Sequence, residues 1–211
     1  MKMHARGAAA ALLLMLALGG CGKEVVVGGQ KHVDTRATGD GTPEGSASSN
    51  RAPAFARSPS GAIAGAVAGR AQGTLTFDAK VALVASGGTA VPLGPPATTT
   101  VRIDGSDTVA VVSGNVPAAR YTAVRVTFTR VQANVTGGLL LGGVGATGLF
   151  TVSILPGDSI VVERAVDLGA EEASARVLVD LDASAWLGTA DPLTRLVAAA
   201  TFRDAVKVRT F

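Results

Sequence analysis

The chain has 211 residues, of which 47% are hydrophobic and 17% charged, and its formal net charge is +3. Positions 61–211 hold twelve cationic and twelve anionic residues, a balance without the clustered basic face that nucleic-acid binding requires, so no nucleic-acid partner is predicted. Cys21 is the single cysteine, which excludes an internal disulfide and a cysteine-based zinc site.

The first 21 residues have the three-part layout of a secretory signal. Two basic residues precede an apolar run at positions 8–18, which is shorter than the roughly 20 residues that span a membrane. Leu18-Gly19-Gly20-Cys21 resembles the lipobox of bacterial lipoproteins. The resemblance implies cleavage before Cys21, lipid on its thiol, and a chain held in the cell envelope. Gly22, where aspartate would signal inner-membrane retention, implies the outer membrane, at its periplasmic face or at the cell surface. The alternative is an ordinary secretory signal with a chance cysteine.

A segment rich in Gly, Ser, Thr, Ala and Pro follows the cysteine. Such a composition buries too little apolar surface to offset the entropy of ordering. The predicted organisation is therefore a signal peptide at 1–20, a lipidated N-terminus and flexible tether at 21–72, and a folded domain at 73–211; whether residues 61–71 belong to the domain is left open. His32 falls in the predicted tether, so a domain without histidine is expected, which excludes a Ser-His-Asp triad and histidine-bound metals.

From position 73 onward, apolar and polar residues alternate with the period of half-buried strands. Nine strands are predicted at 75–83, 99–104, 108–113, 121–131, 149–155, 159–168, 175–182, 195–202 and 205–210, with one helical turn at 183–187. Turn-forming residues separate them, and no crossover helices are evident, which argues against a parallel sheet. The predicted fold is all-β, an antiparallel Greek-key β-sandwich of about eight or nine strands, transthyretin- or immunoglobulin-like in shape.

The run Val116-Pro117-Ala118-Ala119-Arg120-Tyr121-Thr122-Ala123-Val124-Arg125-Val126 is similar to a strand entry in a domain of unknown function carried by bacterial envelope lipoproteins. Positions 73–76 and 179–184 also resemble that family. The resemblance spans most of residues 73–206 and implies a Greek-key sandwich. It departs at Ala119, where the family has glycine, and at positions 85–96. A motif of this kind bears on fold and not on activity.

Few residues offer chemistry. Asp180 and Asp182 project from the same face of a predicted strand end, where they are candidate calcium ligands or solvated charges. Tyr121 and Trp186, the only tyrosine and tryptophan, are candidates for stacking on a sugar if exposed, or core anchors if buried. The GxGxxG at 143–148 precedes a strand pattern and not a helix, which favours a hairpin loop over a dinucleotide site.

No catalytic residue and no cofactor are predicted. The expected role is a non-catalytic binding or structural module with an envelope protein or glycan partner. The alternatives are a carbohydrate- or calcium-dependent adhesion module and a carboxylate-based hydrolase, which would require a cleft with two of Asp78, Asp104, Asp158, Asp180 and Asp182.

Overall fold

The structure is a computed structural model that describes residues 29–39, 72–103, 107–136, 138–154 and 159–211. The signal, Cys21, Asp104, Asp158 and the segment 40–71 lie outside the described residues, so the predictions made for them stay predictions. Within the described residues, no helix is both long enough and apolar enough to cross a membrane.

Strands dominate the described residues, as the alternating sequence predicts. The strands are β1 (Gln30–Thr38), β2 (Gln72–Ala85), β3 (Ala90–Pro92), β4 (Ala97–Arg102), β5 (Val109–Pro117), β6 (Tyr121–Thr136), β7 (Leu139–Leu141), β8 (Val144–Ala146), β9 (Leu149–Ile154), β10 (Ile160–Leu168), β11 (Ser174–Asp180), β12 (Leu196–Val197) and β13 (Lys207–Thr210). The helices are α1 (Ala183–Trp186), which confirms the predicted helical turn, and α2 (Ala199–Ala205).

Two sheets face each other across the core. The smaller sheet has the order β13-β11-β1-β5. In the larger sheet, β6 is central: β2 pairs along one side of it, and β9 and β10 pair with different parts of the other side. Strands β3 and β4 extend the far side of β2. Because β13 lies beside β10 and β5 beside β4, the sheets meet along both sides, and the predicted sandwich architecture is confirmed.

The core forms where the inward faces of the two sheets meet. The five residues whose alternation predicts the first strand, namely Leu75, Phe77, Ala79, Val81 and Leu83, are all buried. An aromatic chain crosses the core from Phe77 through Phe128 and Phe202 to Trp186, with successive ring centroids 5.7, 5.2 and 5.4 Å apart in edge-to-face geometry. These aromatic contacts pack the helices α1 and α2 against the larger sheet.

The prediction of a tether through residue 72 is wrong for residues 30–38. Strand β1 lies in the middle of the smaller sheet, parallel to β11 on one side and antiparallel to β5 on the other. Its inward residues Val33, Thr35 and Ala37 are fully buried. Only one face of this strand is covered, so the side chains on its other face need not be apolar, and a segment of polar composition can form it.

Two further expectations are wrong. The sandwich is not wholly antiparallel, because β1 pairs with β11 and β12 pairs with β9 in parallel. The sequence lacks crossover helices, which argued against parallel pairs, but long connections through the rest of the fold join these strands instead. The strand predicted at 195–202 is the two-residue β12 followed by α2. The Greek-key connection stays a prediction.

Candidate functional site

Tyr121 and Trp186 are both fully buried, so the hypothesis that they stack on a sugar is wrong and they are core anchors. The Tyr121 hydroxyl donates a hydrogen bond to the carbonyl oxygen of Pro117 at 2.8 Å, and burial raises the pKa of that hydroxyl. Trp186 Nε1 donates to the carbonyl oxygen of Leu181 at 2.9 Å. Each ring therefore satisfies its one polar group inside the protein.

Asp180 and Asp182 lie where β11 ends, and residues of their own chain hold them. Lys207 Nζ lies 2.7 Å from Asp182 Oδ2, and the Ser184 hydroxyl donates to Asp182 Oδ1 at 2.7 Å. The Asp182 amide donates to Asp180 Oδ1 at 3.0 Å. Asp180 is 1% exposed, and burial raises its pKa.

Calcium takes six to eight oxygen ligands, whereas this pair already has a lysine at one carboxylate. Among the described residues, no group of three or more His, Cys, Asp or Glu side chains is placed to hold a metal ion. The geometry is that of a strand end fixed by ion pairs.

The GxGxxG segment begins in the turn of a hairpin and does not open a helix. Gly142 and Gly143, between β7 and β8, both have positive φ values of 52° and 87°, which glycine adopts without steric cost. The predicted hairpin loop is confirmed. Leu139 and Leu141 tuck under the sandwich, whereas Val144 is 55% exposed.

A histidine is part of the folded domain, contrary to prediction. His32 lies on the outer face of β1, and its Nδ1 is 2.9 Å from the amide oxygen Oδ1 of Asn115. That oxygen belongs to an amide and not to the carboxylate that orients a catalytic imidazole. The described candidate carboxylates are also divided between sheets, because Asp78 lies on β2 of the larger sheet and Asp180 on β11 of the smaller one.

The outer face of the larger sheet carries a feature that sequence reasoning did not identify. Where β9, β6, β2 and β4 run side by side, the outward side chains are polar, and we call this surface the polar platform; Leu149, the next outward residue of β9, borders it and is apolar. It comprises Thr151 and Ser153 of β9, Arg130, Gln132 and Asn134 of β6, Thr74, Thr76 and Asp78 of β2, and Thr98, Thr100 and Arg102 of β4.

Strand register arranges these side chains in rows. One complete row is Thr151, Asn134, Thr74 and Arg102; the next is Ser153, Gln132, Thr76 and Thr100. With strands about 4.8 Å apart and alternate residues about 6.7 Å apart, the platform measures roughly 14 Å in each direction. A field of hydroxyl and amide groups results, opposite an inner face that is apolar except for the buried Thr99.

Hydrogen bonds between neighbours hold the platform side chains in place. Thr76 Oγ1 lies 2.9 Å from Thr100 Oγ1, and the Thr151 hydroxyl donates to Asn134 Oδ1 at 2.8 Å. Arg130 reaches both oxygens of Asp78, at 3.0 and 3.2 Å. This pairing neutralises the only carboxylate of the platform, so the surface offers hydrogen bonds more than charge.

A shallow groove of about 220 Å³ continues from the platform along β2 and β6. Ala82, Ala90 and Pro92 supply apolar lining, and Lys80, Arg125 and Thr127 supply polar groups. Arg125 is paired through its Nε with Glu163 at 2.8 Å. The groove therefore adds positive charge beside a nearly neutral surface.

Comparison with protein-family models, with curated proteins and with solved structures found no match.

Proposed function

We propose that this chain is a lipoprotein of the cell envelope, cut before Cys21 and anchored in the outer membrane by lipid on that residue. Its folded domain is a non-catalytic binding module, and the polar platform is its binding surface. The anchor is supported by the leader and by Leu18-Gly19-Gly20-Cys21. Several buried acyl chains, each methylene contributing about 0.8 kcal/mol, give stable attachment.

The partner we propose for the platform is a hydroxyl-rich glycan of the envelope. The carrying observation is the pair of complete rows in which hydroxyl, amide and guanidinium groups cross four strands. Sugar hydroxyls both donate and accept hydrogen bonds, as threonine hydroxyls and the amides of Gln132 and Asn134 do. Because Tyr121 and Trp186 are buried, recognition rests on these polar groups and not on ring stacking.

Each such hydrogen bond contributes only about 0.5–1.5 kcal/mol net, so single-site affinity is expected to be weak. Many copies displayed on one membrane compensate, since multivalent contact raises overall avidity without any new contact. Lys80 at the neighbouring groove would favour a glycan with carboxylate or phosphate substituents.

The anchor is tested by replacing its thiol. Cys21→Ser is expected to move the protein from the membrane fraction to the soluble fraction, because the substituted residue cannot take the thioether-linked lipid. Unchanged partitioning of Cys21→Ser would refute the anchor and leave the platform proposal standing.

Glycan binding is tested by co-sedimentation of the full chain with purified envelope polysaccharide. Thr76→Val together with Thr100→Val keeps the shape and strand preference of both side chains but removes two hydroxyls that face each other. We expect about tenfold weaker binding, from two hydrogen bonds of moderate strength. Ser113→Val, an exposed position on β5 of the other sheet, is the matched control and should bind as the unaltered chain does. Equal binding by both variants, or failure of the unaltered chain to co-sediment with the polysaccharide, would contradict the proposal.

A further inference from the structure

The position of β1 determines how far the domain can lie from its anchor. Gly29 is already fixed in the fold, because its carbonyl oxygen accepts a hydrogen bond from the Ala118 amide at 2.8 Å. Eight peptide steps separate Cys21 from Gly29, and at 3.3–3.6 Å per residue they span at most about 28 Å. Had the domain begun at residue 73, the linker would have allowed several times that distance.

One end of the sandwich surrounds this point of entry, and we call it the entry end. It consists of the start of β1 and three connections: residues 86–88 after β2, 118–120 before β6, and 169–173 before β11. Two contacts fasten them together: the Ser86 amide donates to the Arg120 carbonyl at 3.2 Å, and the His32 amide to the Ala173 carbonyl at 2.9 Å. The entry end is thus one connected surface.

The opposite end lies across the length of the sandwich from Gly29. Strand β1 runs nine residues from the entry end to Thr38, a distance of about 30 Å. The start of β9 lies at that opposite end, since Leu149 pairs with Thr136 at the last residue of β6.

We infer that the domain stands on the membrane with its entry end against the lipid headgroups. The inference rests on the proposed lipid anchor at Cys21, and the partner is the headgroup layer of the bilayer that holds that lipid. Gly87, Gly88 and Ala170 are exposed and small enough to let backbone approach the layer closely. The polar platform then lies on a side wall of the sandwich, open to material beside the membrane.

The charge of the entry end fits a zwitterionic surface. Arg120 and Asp167 cancel in a two-point ion pair of 3.0 and 3.1 Å. Glu171 is exposed and is placed to meet the ammonium groups of zwitterionic headgroups. Glu172 is also exposed, but its carboxylate lies 3.8 Å from Lys31 Nζ in an ion pair. The buried Lys31 Nζ contacts the Gly169 carbonyl, so it contributes to holding the loop and not to the outer surface.

A single introduced cysteine tests the orientation, because lipid occupies the thiol of the only native one. Gly87→Cys labels the entry end, at a position where an added Cβ meets nothing within 4 Å. Leu149→Cys labels the opposite end, at a side chain that is 77% exposed. Each lipidated full-length variant carries a thiol-reactive fluorophore in phosphatidylcholine vesicles that contain a headgroup-attached nitroxide quencher.

Flotation with the vesicles reports on the anchor, and quenching reports on the orientation. The expected result is flotation of both variants, with at least threefold stronger quenching at position 87 than at 149. Equal quenching, or stronger quenching at 149, would overturn the orientation while leaving the anchor intact; loss of flotation would overturn both. Inserting 40 Gly and Ser residues between positions 28 and 29 should preserve flotation and abolish the difference. A difference that survives the insertion would refute the short linker as its cause.

Discussion

Truncation of Phe202 is expected to remove a large part of the stability of the domain. Its ring is fully buried and lies edge-on between Phe128 and Trp186, at 5.2 and 5.4 Å. Replacing a buried phenylalanine by alanine costs about 3–5 kcal/mol, from lost transfer energy and the cavity left behind. Since the free energy of unfolding of a domain is about 5–15 kcal/mol, Phe202→Ala should stay folded but be strongly destabilised.

Trp186 is the single tryptophan, so its emission reports directly on this part of the core during urea unfolding. With a slope of about 2 kcal/mol per molar urea, the midpoint should fall by roughly 2 M and the slope should not change. Leu193→Ala is the control, because Leu193 is 90% exposed and such a change stays within about 0.5 kcal/mol. If the urea midpoint of Phe202→Ala differed from that of the unaltered protein by no more than the midpoint of Leu193→Ala does, the packing of α2 on the aromatic chain would be refuted.

Three other changes have defined outcomes. A methyl group at Gly114 would overlap the carbonyl oxygen of Leu93, whereas one at Gly87 meets open space. In urea unfolding, Gly114→Ala should lower the free energy of unfolding by about 1–3 kcal/mol, and Gly87→Ala should lower it by less than about 0.5 kcal/mol. Equal losses would disprove the close approach of Gly114 to Leu93. Burial lowers the pKa of Lys31, so the unfolded chain holds that proton more tightly and the free energy of unfolding should rise with pH between the lowered pKa and the ordinary value of about 10.4. Lys31→Met should remove this rise, which urea titrations of both proteins across alkaline pH would measure; an equal rise in both would count against the burial of Lys31 as its cause. Tyr121→Phe loses one buried hydrogen bond and should lower the unfolding free energy by about 1 kcal/mol, and no loss would mean that the hydroxyl is not bonded in solution.

Strands with one buried face could be predicted from the sequence, and others could not. In β2 and β6 the apolar residues alternate over many positions, and a sheet that covers one face requires that pattern. Strand β1 places Lys31 and Thr35 among its inward residues, so its inner face is not apolar and the segment resembles a linker. Its partners are also distant, and pairing over such separations leaves no local signal.

The polar platform could be predicted only in part, for a different reason. Alternation indicates that Thr76 and Asp78 point to solvent, but it does not indicate which strands lie next to β2. The row that joins Thr76 to Gln132 and Thr100 depends on register with β6 and β4. Register is set by the whole sheet, so a binding surface made of short polar residues from four strands has no linear motif.

The central place of β1 determines the order in which the molecule can be completed. Lys31 contacts Gly169, 138 positions later, and closing so long a loop is entropically costly and slow compared with pairing of neighbouring strands. The first of the described strands is therefore among those fixed latest, after β11 has been made. Under the proposed anchor, a chain exported from its N-terminus would keep β1 unpaired, and the preceding Cys21 accessible to leader-cleaving and lipid-attaching enzymes, until nearly all of the protein has crossed.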